Sequence, residues 1–204
     1  NKPWASFDCA SQEDIELAVQ SARSVLNIGF WKTCTATERG KLLYKLADLI
    51  EESAEKIGTI ETHDSGKLLA ETVSQTKYVA DYYRYFAGMA DKIEGATLPI
   101  DKKDMHVYTT HQPIGVVAAI VPWNAQMFLT ATKLAPALAA GCSIILKASE
   151  IAPCALFELA KLIEQAGFPK GVVSVITGDA ENCSAPLTSH LDIDRIAFTG
   201  GTDT

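Results

Sequence analysis

A chain of 204 residues and 22.0 kDa, 48% hydrophobic and 21% charged, is long enough to bury a core as one large domain or two small ones. A formal charge of -7, a pI of about 5.1 and scattered lysines and arginines leave no basic field for DNA, RNA or an anionic membrane. Nucleic-acid binding is therefore not expected.

The first half reads as helical. Ser11 and Asp14 form a capping box before an apolar stripe of Ile15, Ala18, Val19, Ala22 and Val25. Thr35 and Glu38 repeat the device before Leu42, Leu43, Leu46, Leu49 and Ile50. A further helix is predicted from about Leu69 to Ile93, with Gly95 as its C-cap. Its aromatic stretch, Tyr82, Tyr83, Tyr85 and Phe86, has no basic partners, so packing is expected rather than a stacking platform.

Between Thr97 and Gln112 the pattern changes. Pro99, Asp101, Lys102, Lys103 and Asp104 read as a turn, and HVYTTHQ alternates like a half-buried strand. A projecting two-stranded ribbon is predicted, of the kind that pairs with a neighbouring subunit. The longest nearly uncharged run, Gln112 to Leu146, is broken by Pro113, Pro122, Pro136, Trp123-Asn124 and Lys133. Such a run fits buried strand, loop and helix pieces better than a membrane span.

From Gly115 four apolar strands, GVVAAIV, SIILKA, VVSVIT and RIAFTG, alternate with helical stretches. The helices run from Phe128 to Ala140 with Gly141 as stop, and from Cys154 to Ala166 between Pro153 and Gly167. Leu156, Leu159, Ala160 and Ile163 mark the buried face of the second. The fold class expected is α/β: N-terminal helices, a parallel Rossmann-like βαβ sheet and the projecting ribbon. The parts are 1–96 (helical), 97–114 (ribbon) and 115–204 (Rossmann-like, incomplete). A ligand belongs at the carboxyl ends of the strands.

Those ends carry distinctive residues. Val121-Pro122-Trp123-Asn124 closes the first strand, and the Asn124 amide could donate to an oxyanion or simply cap the next helix. Lys147 and Glu150 follow the second, spaced either to bracket a ribose or to form a surface ion pair. Thr177-Gly178-Asp179 and Thr199-Gly200-Gly201 end the third and fourth, their glycines admitting a ligand close to the backbone. Neither G-x-G-x-x-G nor a P-loop is present.

Cys9, Cys34, Cys142, Cys154 and Cys183 are widely spaced without C-x-x-C, as in reduced cytosolic proteins, and the four histidines show no ligand spacing. No metal site is expected. No signal peptide is visible, although the chain opens at Asn1 without Met.

In series, VPWN, KLAPALAAG, IILKASE, AGFPKGVVSVITG and IAFTGG resemble the NAD(P)-dependent aldehyde dehydrogenase superfamily, in its order and spacing. ERGKLLYKLADLIEE, ETHDSGK and PIGVVAAIVPWN extend the resemblance over essentially the whole chain. It implies NAD-dependent oxidation of an aldehyde to a carboxylic acid, through a cysteine thiohemiacetal and thioester. Asn124 is then the oxyanion-hole amide. Val121, Pro122, Trp123, Lys147, Ser149, Glu150, Gly178, Phe198, Thr199, Gly200 and Gly201 are implied to bind the cofactor. Glu150 beside the ribose favours NAD over NADP.

Two positions depart from the family pattern, Ala148 for the usual Pro and Gly201 for a frequent Ser. The family's cysteine nucleophile and activating glutamate fall beyond Thr204, so the chain alone is expected to be inactive, with an exposed sheet edge prone to association. The resemblance further implies a cytoplasmic homo-oligomer, dimer or tetramer, acting on a small aldehyde. Two alternatives stand beside it: a CoA-acylating relative, and a non-catalytic nucleotide-binding or interaction module.

Overall fold

The computed structural model describes residues 3–202. Both capping boxes form as predicted. Ser11 opens α1 (Gln12–Asn27) with its hydroxyl accepting from the Asp14 amide, and Thr35 opens α3 (Ala36–Glu52) in the same way with Glu38. A single turn, α2 (Phe30–Thr33), lies between them and buries Trp31, whose indole N–H donates to the Gly141 carbonyl at 3.1 Å.

Helices α4 (Ala54–Ser65) and α5 (Leu69–Met89) complete the N-terminal layer. Tyr83 of α5 is wholly buried, and Tyr82 packs on Phe86 and Phe128, so these aromatics pack as expected; Tyr85 is exposed. The end of α5 differs from prediction. It stops at Met89, runs through a 3₁₀ turn (Ala90–Lys92), and its cap is Ala90 in right-handed conformation. Gly95 is not a C-cap. A side chain there would strike the Thr109 carbonyl, where the two arms of the ribbon meet, so close approach rather than helix termination requires the glycine.

The ribbon itself is short. Strands β1 (Thr97–Leu98) and β2 (Val107–Tyr108) pair antiparallel, Thr97 opposite Tyr108, and the rest of HVYTTHQ is irregular.

The second half is a parallel sheet in the order β5-β4-β3-β6, formed by β3 (Val116–Ile120), β4 (Ser143–Ala148), β5 (Val173–Thr177) and β6 (Arg195–Phe198). Helix α6 (Gln126–Ala140) starts two residues before the predicted Phe128, while α7 (Cys154–Ala166) matches. Gly141 and Gly167 end them in left-handed conformation, φ 92° and 97°. A five-residue π turn (Ala180–Ser184) leads into the short α8 (Ala185–Ser189).

Alternation along the strands builds three layers. Val117, Ala119, Ile144 and Leu146 face the large core formed with α3, α5, α6 and α7, whereas Val116, Ala118 and Ile145 face α1, Cys183 and Leu187. β3 and β4 are buried throughout, which their uninterrupted apolar sequence foretold. β6, at one side of the sheet, exposes Ile196 and Phe198. No described helix is long and apolar enough to cross a membrane.

Candidate cofactor-binding site

Parallel register brings the four strand ends to one edge. Ala148 pairs with Thr177, Ile120 with Phe198, and Lys147 with Ile120. The loops after them are tied together: Val121 N donates to the Lys147 carbonyl at 3.2 Å, Thr199 N to the Ile120 carbonyl at 3.1 Å, and Thr177 Oγ1 to the Ala148 carbonyl at 3.1 Å. The predicted site residues are thus brought into one row, with Lys147, Ser149, Glu150 and Gly178 on the β4–β5 side. Val121, Pro122, Trp123, Asn124, Phe198, Thr199, Gly200 and Gly201 lie on the β3–β6 side.

On the β4–β5 side Lys147 Nζ donates to Glu150 Oε2 at 2.8 Å. The lysine is buried along its stem and the carboxylate is open to solvent, unlike a free surface pair. Partial burial pushes the Glu150 carboxyl up, and the hydrogen bond from Lys147, the residue's own backbone amide and the lysine charge more than reverse this. It sits below the usual glutamate value. Among the described residues no other residue donates to Glu150 Oε1, and the side chain is 45% exposed, which leaves this oxygen open as an acceptor.

Next to this pair Asp179 accepts from Asn182 N at 2.6 Å and from the Asn182 side-chain amide at 2.9 Å, capping the π turn. Those bonds, the backbone one first, hold its carboxyl below the usual aspartate value, with a smaller contribution from Lys147. Gly178 is buried. A Cβ there would stand 2.7 Å from the Cys183 Cβ, so packing underneath demands glycine whatever lies above.

On the β3–β6 side the alternative that Asn124 caps α6 does not hold. The N-cap is Ala125, and no side chain caps that helix. Among the described residues the Asn124 amide makes no hydrogen bond, and both Asn124 and Trp123 are exposed. An uncharged double donor is thereby left free beside the edge, suited to an oxygen acquiring negative charge.

One residue that sequence reading missed also faces this side. Lys133, two turns into α6, donates to Thr199 Oγ1 at 2.6 Å, and burial pushes its ammonium below the ordinary lysine value. A lone lysine in the apolar run Phe128–Ala140 was the available signal. Among the cysteines, burial pushes up the Cys34 and Cys183 thiols, and burial together with Asp64 takes Cys154 to about 11. These three are poor thiolates. No group of three or more metal-ligating side chains occurs among the described residues. A cavity of about 850 Å³ lined by Arg23, Trp31, Arg39 and His111 opens near Gly115 and Gly141, at the other end of the strands.

The chain matches the model of the aldehyde dehydrogenase family over residues 1–204. It is 55% identical over 201 residues to the (Z)-2-((N-methylformamido)methylene)-5-hydroxybutyrolactone dehydrogenase of Acinetobacter baylyi, covering 98% of the chain and 41% of that relative. It is 43% identical to human aldehyde dehydrogenase 1A1, covering 94% and 38%. The NAD+ complex of an aldehyde dehydrogenase from Bacillus cereus superposes with a TM-score of 0.93 at 44% identity, over 96% of the chain and 40% of that structure. The chain thus spans about 40% of the length of such relatives.

Proposed function

The chain belongs to the aldehyde dehydrogenase family, and on that premise we propose that it supplies the NAD cleft and the oxyanion amide of an enzyme oxidising an aldehyde to a carboxylate. The observation that carries this reading is one sheet edge holding both an open carboxylate braced by a buried lysine and an uncommitted amide. Its likeness to an NAD+ complex supports the choice of cofactor.

The donor set suits a dinucleotide. The free Glu150 oxygen can accept a ribose hydroxyl while Lys147 fixes the carboxylate, and the Trp123 ring and Val121 wall the cleft beside Asn124. NAD, when bound, supplies the hydride acceptor. The chain's own part is electrostatic and positional. A thiolate supplied from outside residues 1–204 attacks the aldehyde carbon, and the Asn124 N–H groups receive the oxygen as it becomes negative. Loss of hydride then gives a thioester, which water cleaves with a carboxylate base, also from outside the chain. The poor thiolate character of Cys34, Cys154 and Cys183 supports placing the nucleophile elsewhere. On this reading the 97–114 ribbon serves pairing of identical subunits.

Aldehyde-dependent NADH formation by the intact enzyme, across aliphatic, aromatic and semialdehyde substrates, tests the proposal. The panel includes the hydroxybutyrolactone for which the Acinetobacter relative is named. Turnover of at least one is the predicted result; none at all overturns it.

A further inference from the structure

Resting on that reading, the charge arrangement at the β4–β5 end says more than the Lys147–Glu150 pair alone. Glu150 cannot by itself repel a 2′-phosphate decisively, because Lys147 neutralises it at 2.8 Å. A neutral pair could even open, its ammonium turning to a phosphate as lysines commonly do. The sign of the site therefore depends on what else is near.

Parallel register answers this. The β4–β5 ladder ends at Ala148 opposite Thr177, and Glu150 and Asp179 each lie two residues further on. Adjacent strands are about 4.8 Å apart, so the two chain segments that carry these carboxylates leave the same end of the sheet from neighbouring strands. Asp179 is exposed yet not loose, since both of its oxygens are held by Asn182 at the mouth of the π turn. The charges act across the two strand ends: Asp179 pushes the Glu150 carboxyl up, and Lys147 pulls Asp179 down. Among the described residues Lys147 is the one cation hydrogen-bonded to Glu150, and Asp179 has no cation within bonding distance.

We propose that Asp179 is a specificity-determining residue: with Glu150 it places two carboxylates around the single Lys147 ammonium, leaving the ribose subsite negative and closing it to a 2′-phosphate. Glu150 accepts the ribose hydroxyl. Asp179, its oxygens occupied by Asn182, acts through its field and contributes discrimination instead of affinity.

The test is the ratio of NADP to NAD dissociation constants, measured on the intact enzyme for wild type, Asp179→Asn, Asp179→Ser and Asp179→Glu. Serine keeps an oxygen for the Asn182 amide and so separates charge from the capping role. In both neutral variants the ratio should fall by about 3- to 10-fold, the size expected of one exposed charge acting on a phosphate across a few ångströms of wet surface. Asp179→Glu should restore most of it. The wild-type ratio should also fall as salt is raised from 0.05 to 0.5 M, by more than in Asp179→Ser. If NAD binds all four proteins and the ratio stays within twofold, Asp179 has no such role. If NAD does not bind even the wild type, the cofactor reading itself fails, and this inference with it.

Discussion

Lys147 Nζ lies 2.8 Å from Glu150 Oε2, and the partners are unequally buried, 7% of the lysine side chain being exposed against 45% of the glutamate. The geometry is that of a fixed donor holding a usable acceptor. Removing the ammonium with Lys147→Met should weaken NAD binding by about 10-fold or more, the scale of a charge-assisted hydrogen bond. Titration calorimetry reads this directly. Because the Glu150 carboxyl is lowered in the folded protein, its ionised form is fully present above the ordinary value of 4.5 and is lost only as pH falls below it. NAD affinity should accordingly be flat from pH 6 to 8 and decline only below the ordinary glutamate value of 4.5, to the extent the fold survives there.

Gly178 makes a different kind of prediction. Its Cβ position is filled by Cys183, so Gly178→Ala should destabilise the fold by about 1–3 kcal/mol through overpacking. The urea midpoint should drop before any loss of cofactor binding can be assigned to ligand contact. An unchanged midpoint would show that the π turn yields.

Glu61, on α4, is fully buried, with Lys67 Nζ 3.5 Å from one oxygen and, among the described residues, no hydrogen-bond partner for the other. Burial raises its carboxyl above the ordinary glutamate value despite the lysine. Between the ordinary value of 4.5 and the raised folded value, the folded state therefore retains a proton that the unfolded state releases. Stability from this group is greatest below about pH 4.5 and shrinks as pH rises through the folded value. Glu61→Gln should flatten that part of the stability profile and be neutral or stabilising at pH 7. Urea unfolding at pH 5, 6 and 7 distinguishes this from a Glu61 that must be ionised, for which the glutamine variant would lose stability at every pH.

What could be read from the sequence was what is decided locally. The Ser11–Asp14 and Thr35–Glu38 boxes and the Gly141 and Gly167 stops depend on residues within a turn of one another, and all four form. Gly95 was misread because its neighbour is Thr109, across the ribbon. The proximity of Asp179 to the Lys147–Glu150 pair needed the β4–β5 register, which periodicity does not specify. Asn124 left two readings open in the sequence; only the backbone of Ala125 removed the capping one. Lys133 stands out in the sequence only as a break in the uncharged run Gln112 to Leu146, because its partner Thr199 lies 66 residues away.

Asn124 bears the central claim, and one comparison tests it: kcat and the NAD dissociation constant of Asn124→Ala beside wild type, in the intact enzyme turning over its best aldehyde. An oxyanion donor acts in the transition state, so kcat should fall by about 10²–10³ while NAD binding holds within threefold. A variant retaining at least a third of wild-type kcat would contradict the account.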